Sequence, residues 1–187
     1  MERDYINRIL DGDIRLFSYF VKKYKDLAYA VAFQIIRNPQ DAEEVVQDAF
    51  MKAYTHLSRF EGKARFSTWL YRIVYNTAVT RKSMVMKQLA KVEELPDGVD
   101  FKDDVADTLQ LVKKEERSKY VHQALRMLRE EESLLLTLFY LNENSIEEIA
   151  DIVNINNNNI KVKLHRARKN LLVILEQLLK EELPSLI

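Results

Sequence analysis

The sequence predicts an all-α protein of two small helical domains joined by a flexible acidic linker. Three features of its 187 residues carry that expectation. Glycine and proline occur only 3 times each, which nearly excludes tight hairpins and glycine-rich phosphate loops, since both need positive φ or close backbone approach. Apolar residues recur at helical rather than strand spacing in both halves of the chain. That periodicity lapses from Ser83 to about Asp107, where Pro96-Asp97-Gly98 marks a turn and Glu93, Glu94, Asp97, Asp100, Asp103 and Asp104 accumulate. The expected division is a first domain over 1–84, a linker over 85–108 and a second domain over 109–187.

In the first domain, Leu16, Phe17, Phe20, Val21, Tyr24, Leu27, Ala28, Val31, Ala32 and Ile35 predict one long, largely buried helix from Ile14 to Ile36. Asn38 is placed to cap a second helix with Pro39 at its first position, and Asp41, Glu43 and Glu44 oppose the positive end of the dipole. Its apolar stripe is Ala42, Val45, Val46, Ala49, Phe50, Ala53 and Leu57. A loop follows from Arg59 to Phe66, and Ser67 is placed to cap a third helix running to about Met84. The second domain should hold a helix near Leu109–Arg129, another near Glu131–Leu141, and a closing pair.

That closing pair carries the clearest motif. Ser145-Ile146-Glu147-Glu148 is a capping box opening a short helix to Val153, and Asn154 tolerates the left-handed turn that must follow. A longer helix then starts near Asn157, with Ile160, Leu164, Ala167 and Leu171 inward. This is the layout of a helix-turn-helix, whose second helix enters the major groove of DNA. Asn158, Asn159, Lys161, Lys163, His165, Arg166 and Arg168 form its polar face; Asn and Arg can bond base edges, and Lys and Arg can hold phosphates.

Charge points the same way, although Lys plus Arg and Asp plus Glu are 29 each. Residues 154–173 carry five basic side chains and no acid, and residues 59–82 carry Arg59, Lys63, Arg65, Arg72, Arg81 and Lys82 against Glu61 alone. Two basic segments in a neutral chain suggest two contacts with one polyanion. The first is interleaved with Phe60, Phe66, Trp69, Tyr71 and Tyr75. Aromatic faces stack on unpaired bases while basic groups follow the backbone, and Phe60 to Ser67 with Asn76 could line a pocket for a flipped base.

These residues resemble a known family. Phe20-Val21 with Tyr24, Asp41-Ala42-Glu43-Glu44-Val45-Val46-Gln47-Asp48-Ala49-Phe50, and Phe66-Ser67-Thr68-Trp69-Leu70-Tyr71-Arg72-Ile73 with Asn76 resemble the second domain of extracytoplasmic-function sigma factors. Ile149-Ala150 with Val153, then Ile160-Lys161 through Lys169, resemble their fourth domain. The resemblance implies a bacterial promoter-recognition subunit of the sigma-70 family. Glu44, Gln47, Asp48 and Phe50 would dock on the β′ clamp helices of core RNA polymerase, with the β flap a further contact. Phe60, Lys63, Arg65, Phe66, Ser67 and Asn76 would capture a base of the −10 element, with Trp69 near the melting junction and Arg72, Arg81 and Lys82 on phosphates. The helix from Asn157 to Lys169 would read the −35 element. Promoter DNA would be bound both double- and single-stranded, and an anti-sigma factor is an expected partner. The pattern departs from the family at Thr80, where many relatives carry Asp, and at Asn154, where many carry Gly.

Other classes fare worse. There is no cysteine, which removes disulfides, thiolate metal sites and thiol nucleophiles and suits a reducing cytoplasm. His56, His122 and His165 are far apart, so no metal, cofactor or catalytic residue is expected. The start lacks the pattern of a signal peptide and no run is long enough to span a bilayer, so no membrane contact is expected. A stand-alone helix-turn-helix regulator would leave the aromatic and basic segment 59–82 without a role.

Overall fold

The computed structural model describes residues 2–89 and 114–182, and all regular elements among them are helical. The first domain contains α1 (Glu2–Leu10), α2 (Phe17–Ile36), α3 (Pro39–Thr55) and α4 (Phe66–Leu89). The second contains α5 (Lys114–Met127), α6 (Glu130–Leu136), α7 (Ile146–Val153) and α8 (Asn157–Glu182). From residue 90 the expected acidic linker lies outside the described residues, and none of the described helices is long and apolar enough to cross a membrane.

The helices α2, α3 and α4 pack on one another around a core of Phe20, Val31, Val45, Leu70, Tyr71 and Val74. Ala28, Ala32, Ala42, Ala49, Ala53 and Ala78 are all fully buried, so small side chains stand where the helix axes approach most closely. The Asn38 side chain accepts from the Asp41 amide at 3.0 Å, the cap expected there. Arg37, in the left-handed region at φ 59°, ends α2 by donating its own amide to the Phe33 carbonyl at 2.9 Å.

Three boundaries differ from expectation. The long first helix is a 3-10 turn, Ile14–Leu16, continuing into α2. Ser67 is no cap: α4 starts one residue earlier, where the Arg65 carbonyl accepts from the Trp69 amide at 3.2 Å, and it continues to Leu89 rather than Met84. The helix α1 was not expected at all. It inserts Ile6 and Ile9 into the core, and Glu2 Oε1 accepts from Lys23 Nζ and Tyr24 Oη, both at 2.6 Å.

In the second domain α6 widens into a π-turn over Thr137–Leu141 before the chain reaches α7. The two domains are packed together, α7 against α4 and α6 against α2. In the seam Ser133 donates to Gln34 Oε1 at 2.6 Å in a buried hydrogen bond, and Arg37 caps the end of α5 by donating to the carbonyls of Arg126 (2.9 Å) and Leu128 (3.3 Å). The buried Ser133 hydroxyl, whose acceptor lies across the seam, favours this one arrangement of the domains.

Candidate nucleic-acid interface

The capping box at Ser145 is complete: its hydroxyl accepts from the Glu148 amide at 3.2 Å, and Glu148 Oε2 accepts from the Ser145 amide at 2.9 Å. Asn154 follows in the left-handed region at φ 56°, donating its amide to the Ala150 carbonyl. Asn156 Oδ1 then accepts from the Asn159 amide at 2.9 Å and caps α8. Ile160, Leu164 and Ala167 are buried with Ile149, Ile152 and Val153, which fixes α8 across α7. Asn158, Asn159, Lys161, His165, Arg166 and Lys169 are left exposed.

Two members of the expected polar face turn back to their own domain. Lys163 donates to both oxygens of Glu131 at 2.7 and 2.8 Å, and the Arg168 guanidinium lies over the rings of Phe139 and Tyr140 at 4.9 and 5.5 Å. Arg166 and Lys169 remain on the exposed face.

In the first domain the rings of Phe60, Phe66 and Trp69 form a cluster with centroids 5.4 to 5.7 Å apart. Phe66 is only 2% exposed and packs on Phe20 at 4.3 Å. It is therefore a core residue supporting the loop rather than a base contact, correcting the expectation, and Phe60 and Trp69 supply the half-buried stacking surface. Arg72 and Asn76 are exposed on α4, Ser67 is half-buried, and Lys63 pairs with Glu61.

The remaining cations are already engaged. Arg65 donates through Nε and Nη2 to both carboxylate oxygens of Glu148 and reaches the Glu143 carbonyl at 3.3 Å. Thr68 also donates to Glu148, at 2.9 Å, and Lys82 pairs with Glu130. Burial pushes the Glu148 carboxyl up, but Arg65, the Ser145 amide and Thr68 outweigh it and hold the group below the ordinary carboxylate value. Arg72 lines a shallow cleft with Asn154, Ile155, Asn156 and Asn157, so the loop and start of α4 lie beneath α7 and the helix-turn-helix corner. Arg81 donates through Nη2 to Asp41 at 2.9 Å and Glu44 at 2.7 Å, which joins α3 to α4.

On α3, Glu44, Gln47 and Asp48 share one exposed stripe. Phe50 does not belong to it: at 7% exposure it packs edge-on against Phe17 at 6.4 Å, so its expected place on a docking surface is corrected to the core. Met51, 65% exposed, continues the stripe instead. The progression 44, 47, 48, 51 is a helical face readable from spacing, and it was missed because an exposed methionine there resembles core apolar pattern.

Residues 20–85 match the family model described as Sigma-70 region 2, and residues 118–171 match Sigma-70, region 4. The chain is 30% identical over 184 residues to the ECF RNA polymerase sigma factor SigW of Bacillus subtilis, covering 91% of this chain and 95% of that one. It is 30% identical over 186 residues to the RNA polymerase sigma-H factor of Pseudomonas aeruginosa, with 96% of each covered. Among solved structures, its fold is similar to that of the sigma factor RpoE of Bartonella quintana in complex with the anti-sigma factor NepR. That likeness has a TM-score of 0.65 at 22% identity over 84% of this chain and 96% of that one. A second is CnrH in complex with the cytosolic domain of CnrY, at TM-score 0.63 and 18% identity, with 94% and 97% covered.

Proposed function

The chain belongs to the extracytoplasmic-function sigma factors of the sigma-70 family, and we propose how its residues divide that task. It binds core RNA polymerase and directs promoter-specific initiation, recognising −10 and −35 elements and assisting melting. Bond formation between nucleotides belongs to the polymerase, and this chain acts by binding. The exposed stripe Glu44, Gln47, Asp48 and Met51 docks on the polymerase clamp. Phe60 and Trp69 stack on bases of the opened −10 strand, with Asn76 supplying polar contact and Lys63, Arg65, Arg72 and Lys82 holding phosphates. Asn158, Asn159, Lys161, His165 and Arg166, with Lys169, face the −35 duplex. The observation that supports this division most directly is the acid-free, exposed start of α8 held behind a capped α7.

The packed domains cannot serve both elements at once. The elements lie about 25 base pairs apart, or about 85 Å of duplex at 3.4 Å per step. A compact chain of this length is about 40 Å across. The closed arrangement is therefore a resting form, and engagement requires the seam to open. An anti-sigma partner would favour such a form, in keeping with the complex of RpoE with the anti-sigma factor NepR.

Run-off transcription with core polymerase, on the promoter upstream of the chain's own gene, tests the reading. Transcripts should require the chain and disappear when Trp69 and Asn76, or Arg166 and Lys169, are replaced by Ala. Failure to associate with core polymerase in gel filtration would overturn it.

A further inference from the structure

Over residues 157–169 the outward face of α8 contains one exposed apolar side chain that packing does not explain. Ile160, Leu164 and Ala167 point inward and set the orientation of the helix at this end. At about 100° per residue, Asn158, Val162, His165 and Lys169 fall on the opposite side, in a stripe stepping by three and four residues. All four are exposed, and Val162 is 50% exposed among polar and cationic neighbours. A lone exposed valine is ordinary on most surfaces. Here it sits at the centre of a face with exposed Lys161 and Arg166 on its flanks and no acid between residues 154 and 173, a surface whose complement is a polyanion.

Valine has no hydrogen-bonding group to offer a base edge. Set against the amino group of adenine or cytosine, or the acceptors of guanine, it would desolvate a polar group without replacing its partner. The one apolar feature that the four bases present in the major groove is the 5-methyl of thymine.

We propose that Val162 is a base-reading residue of the −35 contact, its isopropyl group packing on the 5-methyl of a thymine in the major groove. The proposal rests on the reading of α8 as the −35 helix and makes that reading specific to this chain. Asn158 lies one turn earlier, about 6 Å along the axis at 1.5 Å per residue. That is about two base steps of 3.4 Å, so it faces a pair about two steps away, where its carboxamide suits adenine N6 and N7. Together the two residues select A·T pairs about two steps apart.

The test uses holoenzyme assembled from core polymerase and the full chain, with a −35 duplex selected from a randomised pool. Each thymine is replaced in turn by deoxyuridine, which removes only the methyl group. Wild-type affinity should fall about fourfold at one position, as expected for the loss of one buried methyl. Val162→Ala should lose most of that sensitivity while the other positions behave as before. A selected duplex without a preferred thymine, or a Val162→Ala holoenzyme as sensitive to deoxyuridine as the wild type, overturns the proposal. Arg166→Ala separates this from failure of the underlying reading. If it weakens binding while no thymine responds, α8 docks but Val162 reads nothing; if Arg166→Ala and Lys169→Ala both leave affinity unchanged, α8 is not the −35 helix and the proposal falls with it.

Discussion

Ser145 and Glu148 satisfy each other's amides at the start of α7, and so hold the short helix on which α8 rests. Ser145→Ala should cost about 1 kcal/mol in thermal or denaturant unfolding of the chain. Local chemistry of this kind is legible in sequence because it depends on neighbours: the Ser-x-x-Glu spacing, Asn38 before Pro39 and Asn154 in a left-handed turn all appear as expected. Phe50 and Phe66 were misassigned for the opposite reason. Each sits at the edge of a helical stripe, where spacing fits burial and exposure equally well, and only Phe17 and Phe20, brought in from α2, decide the outcome. The ion pair of Arg65 with Glu148 spans 83 residues, a distance over which one sequence carries no pairing signal.

At the level of elements, α8 divides its work along its length. Its first turns are an exposed basic face, and Lys169 stands on that face without a partner inside the capped corner. Lys169→Ala should weaken duplex binding by holoenzyme to a similar degree on every sequence and reduce the slope of log affinity against log salt by about one, measured by titration at several salt concentrations. Arg166→Ala should do the same and also relax selectivity at one base position. The helices α3, α7 and the start of α8 were legible because caps and apolar stripes agree. The helix α1 was not, since its nine residues bury only Ile6 and Ile9 and depend on Lys23 and Tyr24 to hold Glu2. Nor was the π-turn after α6, a backbone adjustment with no side-chain signature of its own.

Across the whole molecule, closure engages groups that promoter DNA would use, because Arg65 and Lys82 meet carboxylates of the second domain, with Thr68 adding a bond to Glu148. Glu148→Gln keeps a residue suited to the capping box but removes the charge facing Arg65. It should open the chain with little loss of helical stability, read as a larger radius in small-angle scattering with an unchanged helical circular dichroism signal. The lowered pKa of Glu148 sets the sign with pH: its contribution to closure is fully present above the ordinary value of 4.5 and is lost as pH falls through the lower value of the closed form. Wild-type scattering should therefore stay compact to about pH 4.5 and expand below it, and Glu148→Gln should lack that part of the transition. The chain has no cysteine, so a single introduced pair, one label in each domain, can report separation directly. Energy transfer between the labels should fall on adding core polymerase. The buried hydrogen bond between Ser133 and Gln34 carries this balance to a place that touches neither DNA nor polymerase. If ten molecules are closed for each open one, a gap of about 1.4 kcal/mol, a ligand of the open form binds about elevenfold more weakly than its contacts allow, and a ligand of the closed form gains by the same linkage. A substitution such as Ser133→Ala, which damages the fold in the ordinary sense, then lowers the threshold concentration of core polymerase needed for initiation, and a lost bond reads out as a gain of transcription.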